Sequence, residues 1–288
     1  MKNILLTGAN GQLGNEFKKI SKNFPDTRFL FTDIDELNIT NEKALAGFFS
    51  DKRFDVLINC AAYTAVDKAE DEPERADLIN RQAVKNLALI CKEKNIRLIH
   101  FSTDFVFDGQ KNIPYTETDR PAPVSVYGKT KLDGELEIIN ICTDYLIIRT
   151  SWLYSAFGNN FVKTILNKAE TTGRLRVVYD QIGNPTHAYD LAIAVMKIIF
   201  HENYRKSGVY HFSGEGAVSW FDFACTIVEL AGIACETEAV RSHEFVSKAV
   251  RPPYSVLDKT KIKNDFGIKI PWWQSSLKNC LKEMNILK

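Results

Sequence analysis

Short apolar runs alternate with amphipathic helical segments through the first 150 residues of the chain. β-prone runs occupy 2–7, 28–32, 54–59, 96–101 and 145–148, and helical patterns lie between them, most clearly at 16–20, 71–94 and 125–141. Apolar runs of this length, separated by helices, are typical of strands buried in a parallel sheet. The pattern therefore predicts an α/β fold, a Rossmann-type doubly wound parallel sheet.

The regular alternation weakens after residue 150. Further strands are predicted at 175–179 and 208–212, with an apolar helix at 191–200 and an irregular stretch from 232 onward. We interpret this part as a smaller mixed α/β lobe. The predicted division is a dinucleotide-binding domain at 1–150, rejoined by about 175–212, and a predominantly substrate-binding lobe within 151–288.

Composition narrows the possible functions without choosing one. The 288 residues carry 37 Lys and Arg against 36 Asp and Glu, a net charge of +1, and no long basic run, so nucleic acid is not an expected partner. The first residues are interpreted as a strand and not a signal peptide, and 191–200 is too short to span a bilayer. A cytoplasmic protein without a membrane partner is expected. The six cysteines and five histidines show no ligand spacing, and no metal site is predicted.

A glycine-rich turn follows the first strand and precedes the first helix. Gly8, Gly11 and Gly14 would allow a tight turn, close approach of a pyrophosphate, and packing of helix on strand. The spacing is G-x-x-G-x-x-G, and a purely structural turn is the alternative interpretation. The cofactor-binding residues predicted in this loop are Gly8, Asn10, Gly11, Gln12, Leu13 and Gly14.

Two other strand ends are predicted to meet the same cofactor. Asp33, about 20 residues beyond the glycines, can accept hydrogen bonds from ribose hydroxyls and would repel a 2′-phosphate. Its charge favours NADH, although Asp33 could instead turn the chain with Asp35, so NADPH or NADH remains open. After the third strand, Ala61, Ala62 and Tyr63 would let a ligand lie against the backbone, unless they form an ordinary strand-to-helix turn.

The candidate chemistry centres on Tyr127 and Lys131. Their spacing of four residues places a phenol and an ammonium on one helical face, whereas Lys129 points elsewhere. Thr103 ends the fourth strand at the same edge of the sheet. A nearby ammonium would lower the pKa of Tyr127, which would protonate a carbonyl oxygen, while Lys131 would also hold the nicotinamide ribose and Thr103 would hydrogen-bond the substrate. Tyr-x-x-x-Lys also occurs by chance on surface helices.

Several motifs together resemble those of a known family. They are GANGQLG (8–14), NCAAYTAVDKAE (59–70), STDFVFDG (102–109), the pair at 127 and 131, RTSWLY (149–154) and DQIGNPT (180–186). On these motifs the chain resembles the extended short-chain dehydrogenase/reductases, and within them the dTDP-4-dehydrorhamnose reductase family. The resemblance implies reduction at C4 of a dTDP-6-deoxy-4-ketohexose by NADPH or NADH. It also implies a nucleotide-sugar site that includes Thr64, Val66 and Trp152, with 184–186 near the crevice.

The chain departs from that family at two points. Phe105 stands where the family usually has tyrosine, which removes one hydroxyl from the predicted substrate site of Thr64, Val66, Thr103, Phe105 and Trp152. Some members form magnesium-linked homodimers through carboxylates. Glu16 is the one counterpart identified here, so a homodimer is a possible partner state but the metal is not predicted.

Alternative functions remain open on the sequence alone. One is a nucleotide-sugar epimerase that regenerates its cofactor, and another is a non-catalytic subunit resembling the β subunit of methionine adenosyltransferase. Dehydration is disfavoured because Phe105 cannot act as the acid that 4,6-dehydratases carry after the aspartate. Arg251 could contact a diphosphate, and His187 could contact a ligand, but either could equally be structural.

Overall fold

The computed structural model describes residues 1–287. Its longer strands agree closely with the apolar runs of the sequence, and the shorter strands lie in the second half of the chain. The strands are β1 (Lys2–Thr7), β2 (Thr27–Thr32), β3 (Val56–Asn59), β4 (Arg97–Thr103), β5 (Tyr145–Thr150), β6 (Leu153–Tyr154), β7 (Arg174–Val178), β8 (Ile182–Gly183), β9 (Thr186–His187), β10 (Gly208–His211), β11 (Val218–Ser219) and β12 (Glu236–Val240).

The helices fall between these strands. Two short 3₁₀ turns occupy Asp104–Val106 and Ser242–Glu244, and a π-helical turn occupies Leu78–Gln82. The α-helices are α1 (Gln12–Ser21), α2 (Glu42–Phe48), α3 (Val66–Ala69), α4 (Pro73–Asp77), α5 (Ala83–Lys94), α6 (Val126–Ile141), α7 (Phe161–Thr172), α8 (Ala188–Ile199), α9 (Trp220–Ala231), α10 (Thr260–Phe266) and α11 (Trp273–Glu283).

A six-stranded sheet forms the centre of the molecule, in the order β10-β5-β4-β3-β1-β2 with every neighbouring pair parallel. All seven residues of β4 are buried, as expected for a strand covered on both faces. Helices α1 and α8 contribute to the apolar cluster on one face, and α5 and α6 to the cluster on the other. The predicted doubly wound parallel sheet is confirmed.

The strand order creates a crevice at one edge of this sheet. The chain leaves β1 for β2 on one side and then returns to β3 on the other, so β1 lies between β2 and β3. Loops that follow β1 and β3 therefore diverge, and ligands of doubly wound proteins bind at such a point. The residues after β1, β3 and β4 all open toward it.

The second half of the chain forms a lobe of two-stranded pairs, β7 with β12, β8 with β11 and β6 with β9, around a separate apolar cluster with α7, α9 and α11. One expectation needs correction here. The strand predicted at 175–179 is β7, which pairs with β12 and not with the central sheet. The chain returns to that sheet later, through α8 and β10. The apolar residues of β7 pack in the core of the lobe. Sequence periodicity alone cannot show which sheet a strand joins.

The helix predicted at 71–94 is interrupted by the π-helical turn. This turn contains Asn80, which is buried and reaches back to the loop after β3. Its side chain accepts from the amide of Tyr63 at 2.9 Å and donates to the Tyr63 carbonyl at 3.0 Å. Local insertions of this kind are frequent at functional sites. Here the insertion fixes the loop that borders the crevice.

Candidate active site

A crevice of about 580 Å³ lies between the carboxyl edge of the sheet and the second lobe. This size is that of a pocket for a small organic ligand. The structure brings together here most of the residues that the sequence nominated. They are Gly11, Gln12, Leu13, Ala61, Ala62, Thr64, Val66, Thr103, Phe105, Tyr127, Lys131 and Trp152.

The glycine loop presents backbone to the crevice because two positions leave no room for a side chain. A Cβ on Gly8, whose φ is +69°, would lie 2.5 Å from the amide nitrogen of Ala61. A Cβ on Gly14 would lie 2.4 Å from the carbonyl oxygen of Gly8. The two glycines therefore pack the loop and α1 against the sheet, while Gly11 reaches the crevice itself. Among the described residues no side chain caps α1, so its N-terminus can receive an anion.

Besides Gly8 and Gly14, three predicted cofactor residues lie outside the described lining of the crevice. They are Asn10 in the glycine loop, Asp33 directly after β2, and Tyr63 after β3. Asp33 accepts hydrogen bonds from the amides of Asn10 at 2.7 Å and Ile34 at 2.8 Å, which ties the loop to β2. The Asn10 side chain accepts from Lys18 at 2.8 Å. Glu36 accepts from the Asp33 amide at 2.8 Å, which places a second carboxylate beside Asp33. Ribose contact by Asp33 stays a prediction.

Tyr63 is the third of these residues, and its contact with the cofactor through the loop backbone stays a prediction. The ring is buried, and its hydroxyl donates to Glu72 at 3.1 Å. The Asn80 amide holds the backbone of Tyr63 on the same side. The neighbouring residues Ala61 and Ala62 have small side chains and do line the crevice.

Tyr127 and Thr103 meet at the floor of the crevice. Ser125 caps α6 by accepting from the Gly128 amide at 3.1 Å, and the first turn of the helix then presents Tyr127. The Thr103 hydroxyl donates to Asp104 at 3.0 Å and accepts from the Phe105 amide at 3.1 Å. A bond from Thr103 to a substrate oxygen stays a prediction, and it requires this hydroxyl to rotate away from Asp104.

The pKa of Tyr127 differs from the expectation. Burial raises the pKa of this phenol to about 12; contact with Thr103 lowers it in part, and the Asp104 charge raises it further. The predicted lowering by Lys131 is wrong for the protein alone. Burial likewise raises the pKa of Asp104 to about 6, against hydrogen bonds that lower it. Tyr127 is consequently a phenol, and not a phenolate, throughout the neutral range.

Lys131 is buried beneath the crevice, unlike Lys129, which is exposed. Its ammonium donates to the Phe101 carbonyl at 2.6 Å. Burial lowers the pKa of Lys131 to about 8, although the nearby charge of Glu135 acts in the opposite direction. Glu135 is itself paired with Arg149 at 2.7 Å, and both are buried. The lysine is thus an unusually weak base at the edge of the site.

Aromatic side chains from the second lobe close the opposite wall. Trp152 has a φ of +45°, a rare conformation for a non-glycine residue. Its indole stacks on Trp220 with centroids 3.4 Å apart and planes within 6°. A Cβ on Gly183 would lie 2.5 Å from the Trp152 ring, so this position must be glycine. Trp220 was not predicted from the sequence, and Asn160, which donates to Gln12 at 3.0 Å, was not either.

Arg251 lines the crevice and forms a bidentate pair with Asp67, at 2.6 Å and 3.2 Å. Asp67 also accepts from the Ser247 hydroxyl and the Ala249 amide at 3.0 Å and 3.1 Å. Partial burial opposes ionisation of Asp67, but these hydrogen bonds, led by that from Arg251, hold its pKa below the ordinary value. The segment 247–251 is thereby attached to α3, at the rim of the crevice.

His187 does not line the crevice within the described chain. It lies with Glu16 and Glu283 in a group whose ligand-type atoms are within 4.8 Å of one another. Lys19 already contacts both carboxylates, at 3.6 Å from Glu16 and 2.5 Å from Glu283. Asn184 and Thr186 are buried behind the lobe wall, where Ser151 donates to the Asn184 carbonyl at 2.7 Å.

The class that this fold and crevice define is that of the extended short-chain dehydrogenase/reductases, as the motifs suggested. The family model for the RmlD substrate binding domain matches residues 1–286. The chain belongs to this family.

Curated relatives and solved structures cover nearly the whole chain. dTDP-4-dehydrorhamnose reductase of Aggregatibacter actinomycetemcomitans is 41% identical, over 97% of this chain and 98% of that protein. The crystal structure of a dTDP-4-dehydrorhamnose reductase from Clostridium acetobutylicum is 42% identical with a TM-score of 0.94, covering 98% and 99% of the two chains. The Bacillus anthracis reductase, solved in complex with NADP, is 35% identical with a TM-score of 0.93, covering 98% and 99%.

Proposed function

We propose that this protein reduces dTDP-4-dehydrorhamnose to dTDP-L-rhamnose, at the C4 ketone, with NADPH or NADH. The observation that carries the proposal is the convergence of Thr103, Tyr127 and Lys131 on the crevice beside the glycine loop. Relatives about 40% identical over almost their full length carry this activity in their names. Site and ancestry therefore support the same reaction.

The residues around the crevice fit a dinucleotide. The N-terminus of α1 and the backbone at Gly11 to Leu13 would hold the pyrophosphate, because this stretch offers amides and positive dipole charge. Ala61 and Ala62 would pack beside it, and Asp33 would receive ribose hydroxyls. When bound, the nicotinamide supplies a hydride to the substrate carbon.

Tyr127 is the proton donor in this proposal. A phenol with a pKa of about 12 holds its proton through the neutral range and releases it as negative charge develops on the substrate oxygen. Lys131, in the second turn of α6, would hold the nicotinamide ribose and stabilise the phenolate as it forms. Thr103 would orient the ketone oxygen.

The wall opposite Tyr127 would hold the nucleotide sugar. The Trp152 indole offers a flat apolar surface, while Thr64 and Val66 line the mouth of the crevice. Phe105 packs edge-on against Tyr127, with centroids 5.6 Å apart, so it positions the phenol by contact where the family's usual tyrosine would add a hydroxyl. Arg251 would meet the diphosphate, provided that it exchanges part of its pairing with Asp67.

The remaining expectations concern the membrane, the oligomeric state and the location of the protein. Across residues 1–287 no helix combines the length and the apolar character that crossing a membrane requires. A homodimer and a cytoplasmic location are part of this proposal. An epimerase or a non-catalytic subunit has no specific feature of the site in its favour.

The test is oxidation of NADPH or NADH by the purified protein with dTDP-4-dehydrorhamnose generated in situ. We expect stoichiometric loss of absorbance at the nicotinamide band and formation of dTDP-L-rhamnose. The GDP-linked analogue serves as the control. Turnover without net cofactor loss would identify an epimerase, and absence of turnover with bound cofactor and substrate would identify a non-catalytic protein.

A further inference from the structure

A chain of buried polar side chains runs from β1 to Lys131 beneath the crevice. The Thr7 hydroxyl donates to Asn59 Oδ1 at 2.7 Å, and the Ala61 amide donates to the same oxygen at 3.1 Å. Asn59 Nδ2 lies 3.1 Å from His100 Nδ1, and His100 Nε2 lies 3.4 Å from Lys131 Nζ. Asn59 and His100 are each about 1% exposed. Neither side chain has a role in the proposed proton donation.

The direction of each hydrogen bond in this chain is determined by the backbone. Because the Ala61 N–H can only donate, the atom of Asn59 that it contacts is the oxygen, and the atom that faces His100 is the NH₂ group. His100 Nδ1 must then be an acceptor. A neutral His100 consequently carries its proton on Nε2, the atom that faces Lys131.

An N–H that faces Lys131 favours one protonation state of the lysine. An ammonium has no lone pair, so it gains nothing from the Nε2–H at 3.4 Å and is repelled by its positive end. A neutral amine has a lone pair that can accept this proton. Both the ammonium and the neutral amine can donate a hydrogen bond to the Phe101 carbonyl, which lies 2.6 Å from Nζ.

We propose that Asn59 and His100 are positioning residues that stabilise the neutral amine form of Lys131 by presenting the Nε2–H of His100 to it. This inference rests on the proposed role of Lys131 in the reduction. It gives the lysine a means to release its proton near neutrality, and so to restore the phenol of Tyr127 after each turnover, with water returning the proton to the amine.

The titratable and charged groups around His100 and Lys131 come from three elements. They are His100 on β4, Glu135 on α6, and Arg149 on β5, which pairs with Glu135. Burial, together with the charge of Lys131, holds the pKa of His100 well below its ordinary value, so the imidazole is neutral across the working pH. The Glu135 charge opposes loss of the Lys131 proton, and its pairing with Arg149 moderates that effect.

The chain contains a matched control histidine. His211 is also buried, but its Nδ1 lies 3.1 Å from the Tyr115 carbonyl, which can only accept. Burial, with the charge of Arg149, lowers the pKa of His211 to about 3, so this imidazole is neutral too. His211 must therefore carry its proton on Nδ1. The two buried histidines are expected to be opposite tautomers in the same protein.

The first test measures these tautomers directly. Long-range ¹H–¹⁵N correlation spectra of protein labelled in histidine distinguish the two tautomers, with resonances assigned through His100→Gln and His211→Gln. We expect Nε2–H for His100 and Nδ1–H for His211 at pH 7. A His100 that carries its proton on Nδ1 would overturn the inference. Because no substrate is present, this result is independent of the proposed reaction.

The second test uses Asn59→Asp to reverse the direction of the hydrogen bond between residue 59 and His100. A carboxylate cannot donate to Nδ1, so His100 should change to the Nδ1–H tautomer and offer a lone pair to the Lys131 ammonium. The alkaline limb of kcat/KM should then move upward by about 1–3 pH units. An unmoved limb with a changed tautomer would contradict the proposal. Comparison of the single variant Asn59→Asp with the double variant Asn59→Asp/His100→Met separates the effect of the imidazole from that of the added charge. Only the single variant should show the full shift of the alkaline limb.

Discussion

The two walls of the crevice are built in different ways. The sheet wall carries Thr103 at the end of β4 and Lys131 on α6, and both side chains are buried and hydrogen-bonded. The lobe wall is made of Trp152 and Trp220, which are partly exposed and stack on each other. On the sheet wall, regular elements determine where a group lies. On the lobe wall, a left-handed residue and a glycine do so.

We expect this difference to divide the roles in the proposed reaction between the two walls. Groups that move protons need fixed distances and controlled protonation states, which buried positions on strands and helices supply. A surface that holds a nucleotide sugar needs area and shape, which aromatic rings supply even where they are partly exposed. Mutations in the sheet wall should therefore change turnover, and mutations in the lobe wall should change substrate affinity.

Tyr127→Phe should give the largest effect. Removal of the phenolic hydroxyl takes away the proposed proton donor and keeps the ring that contacts Phe105, so kcat should fall by about 10²–10⁴-fold. Cofactor affinity, followed by quenching of protein fluorescence, should change less than about twofold because the pyrophosphate site is untouched. A variant with normal kcat would contradict the assignment of Tyr127 as the proton donor.

Lys131→Met should increase stability at neutral pH while it removes activity. The pKa of Lys131 is lowered from 10.5 to about 8 in the folded protein, so below pH 8 the buried charge costs stability, and this cost declines as pH rises from 8 to 10.5. The gain in unfolding free energy for the variant should be at most about 3 kcal/mol at pH 7 and should shrink by pH 10. Urea unfolding at both pH values measures it.

Lys129→Met is the matched control for that experiment, because Lys129 is exposed on the same helix. Its unfolding free energy should stay within about 0.5 kcal/mol of the parent protein at both pH values. A gain for Lys131→Met that is equal at pH 7 and pH 10 would show that the stabilisation comes from the apolar side chain and not from removal of a buried charge.

Trp152→Ala should have the smallest of the three effects, and it should fall on the other wall. Loss of the indole removes the stack on Trp220 and the proposed contact surface for the sugar nucleotide, so KM should rise about tenfold with kcat nearly unchanged. Trp272→Ala is the control, since this tryptophan is half-exposed and lies outside the lining of the crevice among the described residues. A fall in kcat for Trp152→Ala with KM unchanged would contradict the proposed difference in role between the two walls.

The sheet wall could be predicted from the sequence because its information is local. Strand β4 covers most of the apolar run predicted at 96–101 and continues to Thr103, and a four-residue spacing on a helix brings Tyr127 and Lys131 to one face. The glycine pattern likewise specifies a turn between a strand and a helix. Each of these features depends on residues that are close together in the sequence. The sequence alone is therefore sufficient to predict them.

The rest depends on contacts between distant residues. Trp220 reaches Trp152 only because β8 and β11 pair, and two-residue strands leave no periodic pattern. Tyr63 turns inward because Asn80, 17 residues later, holds its backbone. The pKa of Tyr127 depends on how deeply the lobe covers it and on the Asp104 charge, and neither is visible in a four-residue spacing.

The bond between Asp67 and Arg251 also has a consequence for the growing chain. The two residues are 184 positions apart, yet together they fasten the segment that borders the crevice. At a synthesis rate of about 5–20 residues per second, a ribosome needs roughly 10–40 s to reach the arginine after making the aspartate. All six strands of the central sheet are synthesised before the end of that interval, but the rim of the crevice is still incomplete. The pocket is therefore completed late in translation.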